Sequence, residues 1–193
     1  MTPGPSRGAH ILEAAHTVLA RDGIVGLSVR SVAAAAGVSP AQVQYYFRTR
    51  IELIEAAFTH AGDQFLAGLR EINTGEPSWA RLRQLIWYWL PLDGERESRA
   101  RVWLAYAATA ATNDRIAAAS ALLDDELRAW LTAELQALER AAQVPLRPDA
   151  GSLAAQLLAL IDGVTVQSLA LPAERRHALA VQTIDPWLAG IRI

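Results

Sequence analysis

The chain has 193 residues and a formal net charge of −2, with 52% hydrophobic and 20% charged residues; it is long enough to bury a real core and too apolar for disorder. It contains no cysteine, which excludes a disulfide scaffold, thiolate metal sites and a cysteine nucleophile. The first ten residues hold no apolar stretch, and no apolar run reaches the roughly 18 residues of a membrane helix, so the expectation is a soluble cytoplasmic protein with no membrane partner.

The pattern is helical almost throughout. Ile11, Ala15, Val18 and Leu19 follow the spacing of one helix face, and Gly23 stops that helix. Ser28 stands as an N-cap before Val29, Val32, Ala33 and Ala36, and Gly37 ends this short second helix. Ser39 caps a third helix with Pro40 at its first position, running to about Phe47. Thr49 and Glu52 have capping-box spacing ahead of a long fourth helix, about residues 50–73. Beyond the break at residues 73–78, five more helices are expected, at about 79–90, 98–112, 114–143, 149–171 and 173–183. The third of these is expected to bend near Ser120, and Asp185-Pro186 to end the ninth helix. No strand pattern interrupts the series, so the predicted fold class is all-α.

Residues 28–47 have helix-turn-helix geometry: a short helix, a Gly-Val-Ser turn and a second short helix. Val29, Val32, Ala33, Val38 and Val43 are spaced to form its small core, leaving Pro40, Ala41, Gln44 and Tyr45 on the outer face of the third helix. Glutamine pairs with base edges, and tyrosine stacks or reaches phosphate. Residues 1–61 carry five Arg against four acids, and the remainder 13 Arg against 16 acids. That balance suits a small local nucleic-acid footprint and excludes a basic coat.

The run from Ser28 to Ser39, the helix Pro40-Ala-Gln-Val-Gln-Tyr-Tyr-Phe47 and the following Arg48-Thr-Arg50 resemble the TetR family of one-component transcriptional regulators. The resemblance spans about residues 9–58 and implies a DNA-binding domain at 1–49 followed by an effector-binding and dimerisation domain at 50–193. It implies base-contact positions at Arg30, Pro40, Ala41 and Gln44. It implies phosphate-contact positions at Ser28, Gln42, Tyr45, Tyr46 and Arg50. Gln44 stands where the family usually has an aromatic residue, so a relative's operator does not transfer. Arg50 replaces the common lysine and keeps its charge.

Leu90-Pro-Leu-Asp93, Arg101-Val-Trp-Leu-Ala-Tyr106 and Leu160-Ile-Asp-Gly163 resemble the BetI-type C-terminal domain of such regulators. That implies a helical body with an effector site and a homodimer interface on the last two main helices. Phe65, Trp89, Trp103, Tyr106 and Trp130 are the candidate aromatic lining, with Asp162 as a buried acid; such a set suits a lipophilic or cationic effector. The eighth helix is apolar nearly all round, which calls for burial on most faces. Leu157, Leu160, Ile161, Gly163, Val164 and Leu179 are the candidate dimer contacts.

The four histidines are scattered, none at i+3 or i+4 from another, so no metal site is expected. No converging acid, base or nucleophile set appears; the chain is read as a non-enzyme without a cofactor. The expectation is a repressor that a small lipophilic or cationic effector releases from a palindromic operator. The rival is a helical small-molecule or lipid carrier, which would need the aromatic body but not Arg30, Gln44 and Arg50.

Overall fold

The computed structural model describes residues 7–143 and 145–191, and among them there are helices and no strand. They are α1 (Arg7–Gly26), α2 (Val29–Ala36), α3 (Pro40–Tyr46), α4 (Arg50–Ile72), α5 (Trp79–Trp89), α6 (Gly94–Ala110), α7 (Asp114–Ala142), α8 (Ala150–Leu169) and α9 (Ala173–Gly190).

The helices pack as two units. The first comprises the described residues up to 67 together with 101–117; the second comprises 68–100 and the described residues from 118 onward. The first unit therefore extends well past residue 49, where the sequence suggested a boundary. The physical reason lies in its core. Ile11, Ala15, Val18 and Leu19 of α1, Val32 and Ala33 of α2 and Val43 of α3 share one cluster with Leu53, Ile54 and Ala57 of α4, Val102 and Tyr106 of α6 and Ile116 of α7. The second core joins Leu82 and Ile86 of α5, Leu131 and Leu135 of α7, Leu153, Leu157 and Ile161 of α8 and Ile184 and Leu188 of α9.

Gly23 breaks the helical backbone of α1 at φ 65°, as expected from its place after the periodic run, and the chain regains a helical turn to Gly26. Three boundaries depart from expectation. The sixth helix begins at Gly94 rather than Ser98, because the Asp93 carboxylate accepts the Arg96 N–H at 2.9 Å and caps it. The seventh runs through Ser120 without a break. The ninth continues through Pro186 to Gly190. Proline there removes one N–H from the ladder, orphaning the Gln182 carbonyl; both residues are exposed, so water can take its place.

The eighth helix is long and apolar enough to cross a membrane by length and composition alone. No unbroken apolar run marks it in the sequence, because Gln, Ser and Asp interrupt the helix without lowering its mean hydropathy far. The helix's inward side, including Leu153, Leu157 and Ile161, fills the second core.

Candidate DNA-reading surface and effector-binding body

Two reciprocal caps build the reading helices. The Ser31 N–H donates to Ser28 Oγ at 3.0 Å, while the Ser28 N–H donates to Ser31 Oγ at 2.9 Å. Gly37 then turns left-handed at φ 64°, a conformation glycine adopts without strain. The Gln42 N–H donates to Ser39 Oγ at 3.3 Å, and Gln42 Oε1 accepts the Ser39 N–H at 2.9 Å. These caps satisfy orphan donors that seven- and eight-residue helices could otherwise leave to water.

Val43 is the buried residue of α3. Its burial fixes the rotation of the helix, so Ala41, Gln44 and Tyr45 lie on the opposite side. Arg30, Pro40, Ala41, Gln44 and Tyr45 are all exposed, and Tyr45 keeps 82% of its surface open to solvent. Tyr46 is exposed as well, standing edge-on to Tyr45 with ring centroids 5.3 Å apart. Arg30 and Gln44 make no side-chain hydrogen bond within the described residues.

Three expected phosphate contacts have other partners, and the first is Ser28, whose Oγ is engaged with Ser31 in its cap. The Gln42 carbonyl oxygen is held by the cap, so only its NH2 group remains to be offered. Arg50 donates from Nε to the Leu27 carbonyl at 3.1 Å and from Nη2 to the Ile24 carbonyl. Arg21, by contrast, closes on its neighbour Asp22 at 2.6 Å. His60 of α4 contacts Glu13 of α1 across 3.1 Å.

The candidate effector residues divide between the units. Phe65, Trp103 and Tyr106 belong to the first, and Trp89, Trp130 and Asp162 to the second. Tyr106 is buried and stacks on Phe58, with ring centroids 3.5 Å apart and planes 4° from parallel; burial, with Glu55 nearby, raises its phenol pKa. Trp89 and Trp130 pack on the second core, each half-buried. Asp162 is half-buried on α8. Burial pushes its carboxyl up to about 6, the Asp124 carboxylate of α7 adds to the rise, and Arg128 opposes it. Arg128 is itself ion-paired with Asp124 at 3.3 Å. One and two turns further along α8, Thr165 Oγ1 and Ser168 Oγ are buried without a hydrogen-bond partner among the described residues.

The candidate dimer residues also divide. Leu157, Ile161 and Val164 are at most 2% exposed within the chain's own core and present no surface to a second copy. Leu160, Gly163 and Leu179 are half-buried. The sequence could not separate these sets, because α8 is apolar on both sides. Outward, Val166 is exposed, and a Cβ built on Gly163 meets nothing within 4 Å.

Several organising residues escaped sequence reading. Glu134 of α7 accepts from Arg81 of α5 at 2.6 Å and from Asn73 at 2.7 Å. Buried Arg176 of α9 donates to Glu97 of α6 at 2.5 Å and to the Leu171 carbonyl at 3.2 Å. Arg83 joins Asp185 at 2.7 Å and lies over the Trp87 ring. No group of three metal-ligating side chains occurs among the described residues.

A capped helix-turn-helix with an outward polar face, followed by a helical body, defines a DNA-binding regulator. Residues 11–57 match the family of bacterial regulatory proteins called the tetR family, and residues 79–192 match the BetI-type transcriptional repressor C-terminal domain. The chain belongs to the TetR family of transcriptional regulators. It is similar to a transcriptional regulator from Rhodococcus sp. Rha1, with 32% identity over 96% of each chain and a TM-score of 0.80. A second structure, a TetR-family regulator from Rhodococcus sp., is 25% identical over 93% of this chain and 96% of its own, with a TM-score of 0.77. The same fold occurs in a regulator from Saccharomonospora viridis in complex with choline, 24% identical over 91% of this chain and 95% of that one, with a TM-score of 0.74. A comparison with curated proteins finds no match.

Proposed function

We propose that this ligand-responsive regulator acts in the cytoplasm as a homodimeric repressor. Each subunit reads half of a near-palindromic operator through Arg30, Pro40, Ala41 and Gln44. Ser28, Gln42, Tyr45 and Tyr46 hold the phosphate backbone, and Arg50 adds its remaining donors. The observation that carries this reading is the exposed, hydrogen-bond-ready face of α2 and α3, turned outward by buried Val43. A carrier needs no such face, and no catalytic role is assigned to any residue.

The outward strip of α8, with Leu160, Gly163 and Val166, and Leu179 of α9 form the dimer contact in this reading. Gly163 lacks a side chain where a facing helix would approach. The effector is a small organic cation. Asp162 supplies the compensating charge, and the unpartnered Thr165 and Ser168 hydroxyls supply hydrogen-bonding capacity. The choline bound by the Saccharomonospora viridis regulator supports that class. Release of DNA requires that the cation prefer the non-binding conformation, since equal affinity for both would shift nothing.

The test is fluorescence anisotropy with DNA from upstream of the protein's own gene, at two salt concentrations, followed by choline and related ammonium compounds. Specific, salt-sensitive binding with two subunits per half-site pair, and release by a cation in wild type but not Asp162→Asn, is expected. Saturation without sequence preference would contradict the regulator reading. Release that Asp162→Asn leaves intact would contradict the cation site alone.

A further inference from the structure

Arg50 opens α4 at a position where family resemblance implies only a phosphate contact. Its guanidinium instead presents one edge to the protein, Nε to the Leu27 carbonyl at 3.1 Å and Nη2 to the Ile24 carbonyl. Those carbonyls flank Val25 and Gly26, in the passage from α1 to the Ser28 cap of α2. The passage has little stiffness of its own: Gly23 is left-handed, Gly26 carries no side chain, and Val25 is 89% exposed. Three of its carbonyls, those of Ile24, Gly26 and Leu27, are nevertheless engaged. Ile24 O also accepts the Leu27 N–H at 3.4 Å, and Gly26 O accepts the Ser31 hydroxyl at 2.8 Å. Arg50 thus ties the first residue of α4 to the stretch that decides where α2 begins.

We propose that Arg50 is a positioning residue that sets sequence discrimination, by fixing the start of α2, and with it Arg30, against the N-terminus of α4. This rests on the DNA-reading assignment but not on any effector. A planar guanidinium has five donors in a fixed fork; two face the carbonyls, which leaves three, on Nη1 and the far side of Nη2, for phosphate. Lysine would keep the charge and lose the fork. The two roles therefore separate experimentally. A residue that only contacts phosphate tolerates lysine. When neutralised it weakens specific and random DNA equally and lowers the salt slope by about 0.9. A positioning residue loses discrimination even when its charge is kept.

The experiment compares wild type, Arg50→Lys and Arg50→Gln by anisotropy on operator and random duplexes across a salt series, with amide hydrogen exchange on the DNA-free proteins. Because lysine keeps the charge, the expected result for Arg50→Lys is a smaller loss of affinity on random duplex than on operator. Its operator-to-random ratio falls about tenfold, on the scale of one lost base contact, and residues 26–31 exchange faster. A wild-type ratio with wild-type exchange in Arg50→Lys would overturn the proposal. If the variants do not fold, wild-type protein still decides. A resolved, exchange-protected Arg50 15Nε–1H signal supports the tether, and a solvent-averaged one refutes it. A wild-type protein that binds no duplex specifically would fail the regulator reading itself, whatever the Arg50 signal shows.

Discussion

On α2 and α3, Arg30, Gln44 and Tyr45 stand in solvent, and the polar groups held internally are the short caps Ser28–Ser31 and Ser39–Gln42. In the second unit, Arg81, Arg83, Arg96 and Arg176 each close on a carboxylate, at 2.6, 2.7, 2.8 and 2.5 Å. Both regions are helical, yet one leaves polar donors for an outside partner and the other uses its arginines to join one helix to the next. A surface that must read base edges needs unsatisfied donors and acceptors. A body made of long helices needs cross-links that packing of Ala and Leu alone leaves unspecified.

The largest effect is expected where the body's cross-links are most buried. Glu134→Ala strands Arg81, whose side chain is 12% exposed, and removes the acceptor of Asn73. A loss of about 3 kcal/mol is expected in urea denaturation, as for a buried ion pair with one partner removed. Next comes the packing of α4 against α5 within the second unit. A Cβ on Gly68 would lie 2.0 Å from Tyr88 Oη. Gly68→Ala should destabilise by about 2 kcal/mol through overpacking, and Tyr88→Phe should relieve only part of that in a double-mutant cycle, because Tyr88 Cζ would still lie 2.7 Å from the new Cβ.

The third change has the opposite sign. The Asp162 carboxyl titrates near 6 in the folded chain, above its ordinary 3.8. The folded form therefore takes up the proton first. The stability this contributes is fully present below about pH 4 and is lost as pH rises through about 6. Asp162→Asn should flatten that dependence in thermal melts and be more stable than wild type at pH 8, by about 1–2 kcal/mol after solvent screening. On the reading side, Ser39→Ala should lose about 1 kcal/mol and fray α3, measured by denaturation and by exchange of the Gln42 amide. The smallest effect is expected at Arg21. Its charge is matched by Asp22 on the surface, so Arg21→Ala should leave DNA affinity and salt slope unchanged.

How much was legible follows the same division. The Ser28, Ser39 and Pro40 signals work over three or four residues, so the sequence places α2 and α3 closely. Gly37 marks their turn because few other residues adopt φ 64° without strain. The Arg81–Glu134, Glu97–Arg176 and Arg83–Asp185 pairs span 53, 79 and 102 residues, and nothing local announces them. The helix through Pro186 was missed because the sequence does not say that Gln182 faces water. Leu157 and Leu160 look alike in a helix apolar all round, and only packing shows that the first faces the core. Even on the reading side, spacing alone could not tell that Arg50 turns part of its fork inward, since its partners are backbone carbonyls.

The most direct test is the ratio of operator to random-duplex affinity for wild type and Gln44→Ala at one fixed salt concentration. Gln44 is exposed and uncommitted, so its loss should remove base readout without unfolding the domain. The account predicts a fall of about tenfold in the ratio, with random-DNA affinity and thermal stability unchanged. A ratio equal to wild type would show that this face does not read the operator.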